Sequence, residues 1–476
     1  MIPQNLRFGG GVQQTIIHPA VAIAVLIAGL LICFLPRKKA VLPFLAAAIL
    51  IPTDQILLIG GLHFPMLRVL ILFGFARMLR TKISSGFQVF SGGLNRLDLT
   101  VILLAVSIAI AGLLLWQQSA VVVFQLGELY SAFGVYFLLR FLIRDQDDVE
   151  RTIRTLAYIA VVVAGIMSYE QATGSNPYYA SLGGSLASVY GSAMERDGRF
   201  RATGCFAHPI LAGTFGGILL PLFFGLWWKA KQSRKCAVLG MVAATVIAAA
   251  SNSSTPLFAY IGGLVGLCFW PLRRQMRVIR WGIVTVIVSL HMVMKAPVWH
   301  LISRVDLTGG SSSYHRYQLV DMFIRHFWDW WLVGTKSNAD WGWDMWDLSN
   351  QYVGTGEASG VIAFILFVAV IVYGFKYLGK ARKACAGEGA QEIFMWSLGA
   401  AVFANAVAFF GISYFDQTIV AWYALLAMIS AAAVPVIAHR RESRQVLEPR
   451  RRVWSAIELD PSSPEELSGW LQGSAP

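Results

Sequence analysis

Apolar and polar positions fall in long alternating blocks along this chain, not at the short periods of a soluble fold. Apolar runs at roughly 17–35, 40–59, 64–79, 99–117, 120–143, 154–170, 208–228, 236–250, 256–271, 281–296, 357–378, 392–412 and 418–438 are separated by Pro, Gly and charged clusters. Most approach the ~20 residues needed to cross a hydrocarbon core of about 30 Å. Backbone groups in lipid must pair within their own segment, so the pattern predicts helices. The shorter runs, 64–79, 236–250 and 256–271, are expected to tilt or re-enter. The expected fold is an all-α, polytopic integral membrane protein of about 12–14 transmembrane helices. One domain would span 1–438, with external loops near 171–207 and 295–356, the second large and containing short helices.

Composition excludes a soluble domain. With 56% hydrophobic residues and a mean hydropathy of +0.60, the chain has too little polar surface to cover its apolar content. The formal charge of +13 raises a nucleic-acid reading, but the 39 Lys and Arg residues are distributed against it. They cluster at alternate loops: Arg37 to Lys39, Arg77 to Arg96, Arg140 to Arg154, Lys229 to Lys235, Arg273 to Arg280, Lys376 to Lys383, and the tail from Arg440. That is the positive-inside pattern, which puts those loops and the C-terminus in the cytoplasm and the intervening loops outside. Nucleic acid is therefore not an expected partner.

Ile17 to Leu35 has no basic region immediately before it and is followed by Arg37-Lys38-Lys39, so it reads as a retained span. The five cysteines show neither paired spacing nor CxxC, so neither a disulfide framework nor a zinc site is expected. Residues 439–476 combine basic clusters with Pro461-Ser462-Ser463-Pro464-Glu465-Glu466, and are expected to form a basic juxtamembrane stretch near anionic lipid, then a flexible end.

Two external segments carry the chemistry. The first, Glu195 to Pro209, leads into the span at 208–228 and holds Arg199 and Arg201 outside the membrane, against the sidedness of the other basic clusters. Guanidinium forks suit phosphate oxygens. The helix N-terminus beginning near His208-Pro209 also favours an anion. A solvated basic loop is the plain alternative. The second segment, Lys295 to Glu357, gathers Trp299, Trp328, Trp330, Trp331, Trp341, Trp343 and Trp346 with His315, Arg316, Asp321, Asp347 and Glu357. Apolar residues at Leu319, Val320, Phe323, Ile324 and Phe327 predict an amphipathic helix over Tyr314 to Phe327, with Ser311 to Ser313 as its N-cap. Trp faces can stack on sugar rings, and Asp and Asn can bind hydroxyls, so a carbohydrate site is chemically natural. The alternative is an interfacial aromatic belt, which applies most strongly to Trp328, Trp330 and Trp331.

At these residues the chain resembles the O-antigen ligase and polymerase superfamily of bacterial envelope glycosyltransferases, over most of residues 100 to 430. The resemblance is carried by Tyr136-Phe137-Leu138-Leu139-Arg140, by Tyr169-Glu170-Gln171-Ala172-Thr173-Gly174-Ser175-Asn176-Pro177, and by Arg201-x-x-Gly204-x-Phe206-x-His208-Pro209. His315-Arg316, Gly334 and Asn350-Gln351-Tyr352 before a Gly-rich span complete it. Where the family's ligases place a His before the late Asn this chain has Ser349, which is more similar to the exopolysaccharide or O-antigen polymerase branch. The resemblance implies a metal-independent enzyme without cofactor, acting on a polyprenyl-diphosphate-linked oligosaccharide at the periplasmic face of the inner membrane. Chain-length regulators or other polysaccharide-assembly proteins are implied as partners, beside membrane lipids. Family arginines that engage the diphosphate carry over to Arg201 and Arg316, with Arg199 as a helper. His208, Asn350, Tyr352, Trp343 and Trp346 are the other expected substrate contacts. The base is expected among Asp347, His315 and Glu357, in that order. A ligase acting on another acceptor, and a transporter or flippase of the lipid-linked glycan, are the alternatives; against the latter, the spans are apolar at their centres.

Overall fold

A computed structural model describes residues 14–85, 90–183, 191–196, 198–304 and 312–459. Among these, the chain is helical almost throughout, and every predicted span but 40–59 coincides with a helix. In order these are α1 (Pro19–Phe34), α2 (Arg37–Leu50), α3 (Met66–Ser85), α4 (Arg96–Trp116), α5 (Ser119–Leu142) and α6 (Gln146–Thr173), then the short α7 (Pro177–Leu182). They continue as α8 (Pro209–Lys229), α9 (Arg234–Ala250), α10 (Ser254–Cys268) and α11 (Met276–Val293). The short α12 (Ser312–Arg325) and α13 (Phe327–Trp330) follow, then α14 (Gln351–Ala384), α15 (Gly389–Ala408) and α16 (Gln417–Leu459). Eight helices of the described residues are both long and apolar enough to cross a membrane, and α1 and α10 are shorter apolar helices. The chain is an all-α, multi-pass membrane protein.

Three expectations change. The run 40–59 is not one helix: α2 ends at Leu50, and Ile56–Ile59 (β1) pairs antiparallel with Leu62–Pro65 (β2). Pro52 and Asp54 oppose helix, and Gly60 and Gly61, both at positive φ, turn the hairpin between β-branched and apolar strands. The segment after 438 does not leave the helix, because α16 continues to Leu459. Its Arg, Glu, Leu and Ala residues propagate a helix that the membrane span has already nucleated; residues from 460, including Pro461 to Glu466, lie outside the described residues. Arg140, expected in a basic loop, is buried: its Nε lies 2.8 Å from Asp98 Oδ1, and Tyr136 donates to the same oxygen at 2.6 Å. Asp98 also completes the capping box of α4 with Asn95.

The core lies where α8 packs against α9, α10 and α15, α9 against α6, and α14 against α4 and α16. In α8, 16 residues are buried, and glycines let neighbouring helices approach closely. In contrast, no residue of α11 is buried, which suits a helix faced by lipid on every side. The helices alternate in direction, so the loops gather at two ends. One holds the basic clusters. The other holds the β-hairpins, the 171–207 loop, the long loop before α14, and the α15–α16 connection.

Candidate functional site

A second hairpin, Met194–Arg196 (β3) against Arg199–Arg201 (β4), leads into the stretch Ala202 to His208, and a buried carboxylate holds that stretch in place. Glu170, near the end of α6, accepts from the Thr203 amide (3.0 Å), the Gly204 amide (2.8 Å), the Thr203 hydroxyl (3.0 Å) and Asn176 Nδ2 (3.0 Å). Asn176 also donates to the Gly204 carbonyl at 2.9 Å while capping α7. Two motifs that sequence could only set side by side are thus one hydrogen-bonded unit. From the opposite side Asp416 accepts from the Ala207 amide (2.9 Å), and Gln417 donates to the Cys205 carbonyl (2.7 Å). Burial pushes the Asp416 carboxyl up to about 7, although the Ala207, Thr418 and Gln417 amides oppose the shift.

Held this way, Arg201 reaches the turn between α9 and α10. Its Nη2 and Nε lie 2.7 and 3.2 Å from Ser253 Oγ. Burial first, and then the charge of Arg196, lower its pKa. Arg316, almost fully buried on α12, donates from Nη2 to Thr255 Oγ1 at 3.1 Å, two residues on from Ser253 in the first turn of α10. Asn252, at positive φ, ties the turn to the β4 strand by donating to the Phe200 carbonyl at 2.6 Å. The polar run Ser251-Asn252-Ser253-Ser254-Thr255 between two apolar runs was the available sequence signal for this turn, and charge-based reading passes over it because it carries none.

His208 is the N-cap of α8, its Nδ1 accepting from the Ile210 amide at 3.2 Å. Burial, and secondarily Arg201, push its pKa down to about 4, so the ring is neutral at physiological pH. With Nδ1 accepting, Nε2 carries the proton and is a hydrogen-bond donor. The N-termini of α8 and α10 therefore adjoin Arg201, which adds two helix dipoles to the positive field there. Arg199 is exposed on β4.

The second half of the site is an open cavity of about 470 Å³ at the start of α14, lined by Trp346, Asp347, Ser349, Gln351, Thr355 and Ser413 among others. His315, one residue before Arg316, bonds through Nε2 to the Asp347 carbonyl at 3.1 Å. A carbonyl only accepts, so Nε2 carries a proton, and in the neutral ring Nδ1 holds the basic lone pair. The α15–α16 connection, Phe409 to Asp416, separates the halves and bonds to both: the Gly411 carbonyl accepts from Thr255 (3.0 Å), Ser413 donates to the Leu348 carbonyl (2.7 Å), and the Tyr414 amide donates to Gln351 (2.7 Å). Nothing in the sequence reading singled out this connection.

Other expected site residues stand behind the cavity wall. Asn350 is buried as the N-cap of α14, accepting from the Tyr352 and Val353 amides at 3.0 and 3.2 Å. Tyr352 donates to the Ala406 carbonyl at 3.0 Å and packs on Phe367, Phe409 and Phe410. Both hold the wall and are not among the residues lining the cavity. Trp346 does line it; Trp343 does not, and is 89% exposed. Trp330 and Trp341 are buried: Trp330 stacks on Phe323 at 3.9 Å and Trp341 on His326 at 5.3 Å, so these two build the loop's own core. Of the proposed N-cap serines, Ser312 and Ser313 lie inside α12, while Ser311 lies outside the described residues.

Glu357 is buried in α14 just before a break in that helix. Gly360 takes φ 79° and ψ 179°, and a Cβ there would strike the Leu332 carbonyl oxygen. The Val361 amide donates to the Trp331 carbonyl (2.8 Å) and the Thr335 amide to the Glu357 carbonyl (2.8 Å), with Gly334 at φ 92° packed against the same peptide. The loop before α14 is thereby docked into α14 itself, roughly 14 Å along from its start at 1.5 Å per residue.

Among the described residues, no three His, Cys, Asp or Glu side chains gather in a metal-holding group. The groups that meet are guanidiniums, hydroxyls, helix N-termini and a neutral imidazole, a set suited to an oxyanion. No protein-family model matches this chain, and no curated protein matches it.

Proposed function

We propose that the chain is a membrane glycosyltransferase that polymerises polyprenyl-diphosphate-linked oligosaccharide repeats into an exopolysaccharide or O-antigen. The observation that carries this reading is that Arg201 and Arg316, from β4 and α12, far apart in sequence, bond to hydroxyls two residues apart at the start of α10, with the N-terminus of α8 close by. The diphosphate would sit there, and Arg201, Arg316 and the His208 Nε2–H would neutralise its charge as it leaves. The acceptor saccharide would occupy the neighbouring cavity against Trp346. Its hydroxyl oxygen attacks the anomeric carbon and the bond from that carbon to the diphosphate breaks. The hydroxyl proton passes to Asp347 or to His315 Nδ1, and polyprenyl diphosphate departs. The positive-inside distribution supports a periplasmic site on a bacterial inner membrane, with the C-terminus cytoplasmic.

One feature favours a second reading. A spanning helix interrupted at Gly360 beside buried Glu357 is an arrangement transporters use for substrate sites, so a flippase of the same lipid-linked glycan is the alternative. The lipid-linked glycan pool of a deletion strain separates these. Single repeats accumulating on the outer leaflet support a polymerase, long undelivered chains point to a ligase, and retention on the cytoplasmic leaflet points to a flippase.

A further inference from the structure

The basic end of the bundle contains a second cavity, about 350 Å³, between the start of α4 and the far ends of α14 and α16. Three cations line it, Arg96 from α4 and Lys376 and Lys380 from α14, with Tyr373 and Tyr377 between them. No acidic side chain lines it, and among the described residues no carboxylate lies within ion-pair distance of the three cations. Their neighbours at this end are engaged otherwise: Arg273 and Arg382 share Glu392, and Arg440 donates to the Lys383 and Ala384 carbonyls. Tyr377 accepts from the Arg96 amide at 3.2 Å, so its own O–H remains a donor at the cavity wall. The α16 wall is apolar, formed by Val434, Ile437 and Ala438.

We infer that this cavity is a binding site for an anionic phospholipid. The phosphate would be held by Arg96, Lys376 and Lys380, and the upper acyl chain would lie on the apolar α16 wall. A site that offers three unneutralised cations and a hydrocarbon face suits an anionic amphiphile better than a free anion, which would leave that face wet. The cavity is at the opposite end of α14 from Asp347, at about 1.5 Å per residue from Gln351 to Lys376 some 38 Å away. The inference therefore stands whether or not the outer site is a glycosyltransferase.

The test uses the full chain purified in detergent and exposed to cardiolipin, phosphatidylglycerol or phosphatidylcholine, with bound lipid per protein counted by native mass spectrometry. The anionic lipids should be retained and phosphatidylcholine should not. The double variant Lys376→Gln/Lys380→Gln should lower anionic-lipid retention by about tenfold or more, since two headgroup cations are removed. Lys231→Gln/Lys235→Gln, which removes the same charge from exposed positions at the same end, should leave retention unchanged. Millimolar inorganic phosphate should not displace the lipid. Equal retention in the two double variants, equal binding of phosphatidylcholine, or displacement by free phosphate would each overturn the inference.

Discussion

Two sets of arginines, one at each end of the helix bundle, are used in opposite ways. At the basic end, Arg37 donates to the Leu142 carbonyl at 2.7 Å and to Asp148 at 2.5 Å, Arg77 to the Ile32 and Leu35 carbonyls, and Arg440 to the last carbonyls of α14. These cations satisfy helix C-termini that lipid could not, so they work as structural cement. At the loop-rich end, Arg201 meets a serine hydroxyl and no carboxylate among the described residues. A hydroxyl positions a guanidinium without neutralising it. Counting arginines therefore says little; what they bond to decides whether a charge is already used or still available to an anion.

The sharpest way to break this comparison is to delete one arginine of each kind. If the chain is the proposed polymerase, Arg201→Ala or Arg316→Ala should cut polymer formation on the order of 10²–10³-fold, the usual loss when a preorganised charge-stabilising donor is removed, while the purified protein melts as wild type. Lys at either position should restore only part, since an ammonium lacks the two-point fork. Arg140→Ala should do the reverse, destabilising the fold by about 3–5 kcal/mol because Asp98 is left buried and unpaired, which folded yield and melting in detergent will show. If Arg201→Ala lost its fold instead, the outer arginines would be cement too.

Glu170 tests whether the outer loop must be held. Glu170→Ala removes the acceptor of the Thr203 and Gly204 amides, and should cost about 1–3 kcal/mol for each buried donor left unsatisfied. Polymer yield should fall, and proteolysis should appear within 195–209, before the bundle itself unfolds. A smaller effect is expected at the hydroxyls: Ser253→Ala and Thr255→Val should each lower activity by roughly tenfold, consistent with about 1.5 kcal/mol for a hydrogen bond to a charged group. Unchanged activity in both would mean the hydroxyls do not orient the arginines.

The remaining test is the pH dependence of stability. Asp416 has its carboxyl raised to about 7 from 3.8, so between those values the folded state holds the extra proton and stability falls as pH rises. His208, lowered to about 4 from 6.5, acts oppositely, and stability gained from it rises with pH up to 6.5. Asp416→Asn should remove the falling component, so its melting temperature relative to wild type should be higher at pH 8 than at pH 5. An identical difference at both pH values would show that Asp416 titrates normally.

Several parts of the site were legible in the chain. Arg201 and Arg316 stood out as external arginines, and the Tyr169 to Pro177 segment and the Gly204 loop as motifs, because each is a local departure from the surrounding pattern. Their assembly was not. Glu170 reaches Thr203 across 33 residues, Arg316 reaches Thr255 across 61, and Asp416 reaches Ala207 across 209. Asn350 and Tyr352 illustrate the converse. They look like polar ligands in sequence, but a helix N-terminus and a carbonyl at Ala406 use their polar atoms. Trp330, read either as a sugar platform or as part of an interfacial belt, and Trp341, read more as a sugar platform, are core.

The chain by itself determined the spans and their alternation, since both follow from local quantities: the length of an apolar run against the thickness of lipid, and the charge of the residues beside it. The same local physics missed the β-hairpin after α2, where the apolar run continues but Pro52 and the Gly60-Gly61 turn end the helix. Only the tertiary structure decided which charges remain available. That depends on whether packing brings a carboxylate, a carbonyl or a hydroxyl within hydrogen-bond reach, and such encounters are set by helices meeting across the whole bundle, not by neighbours in sequence.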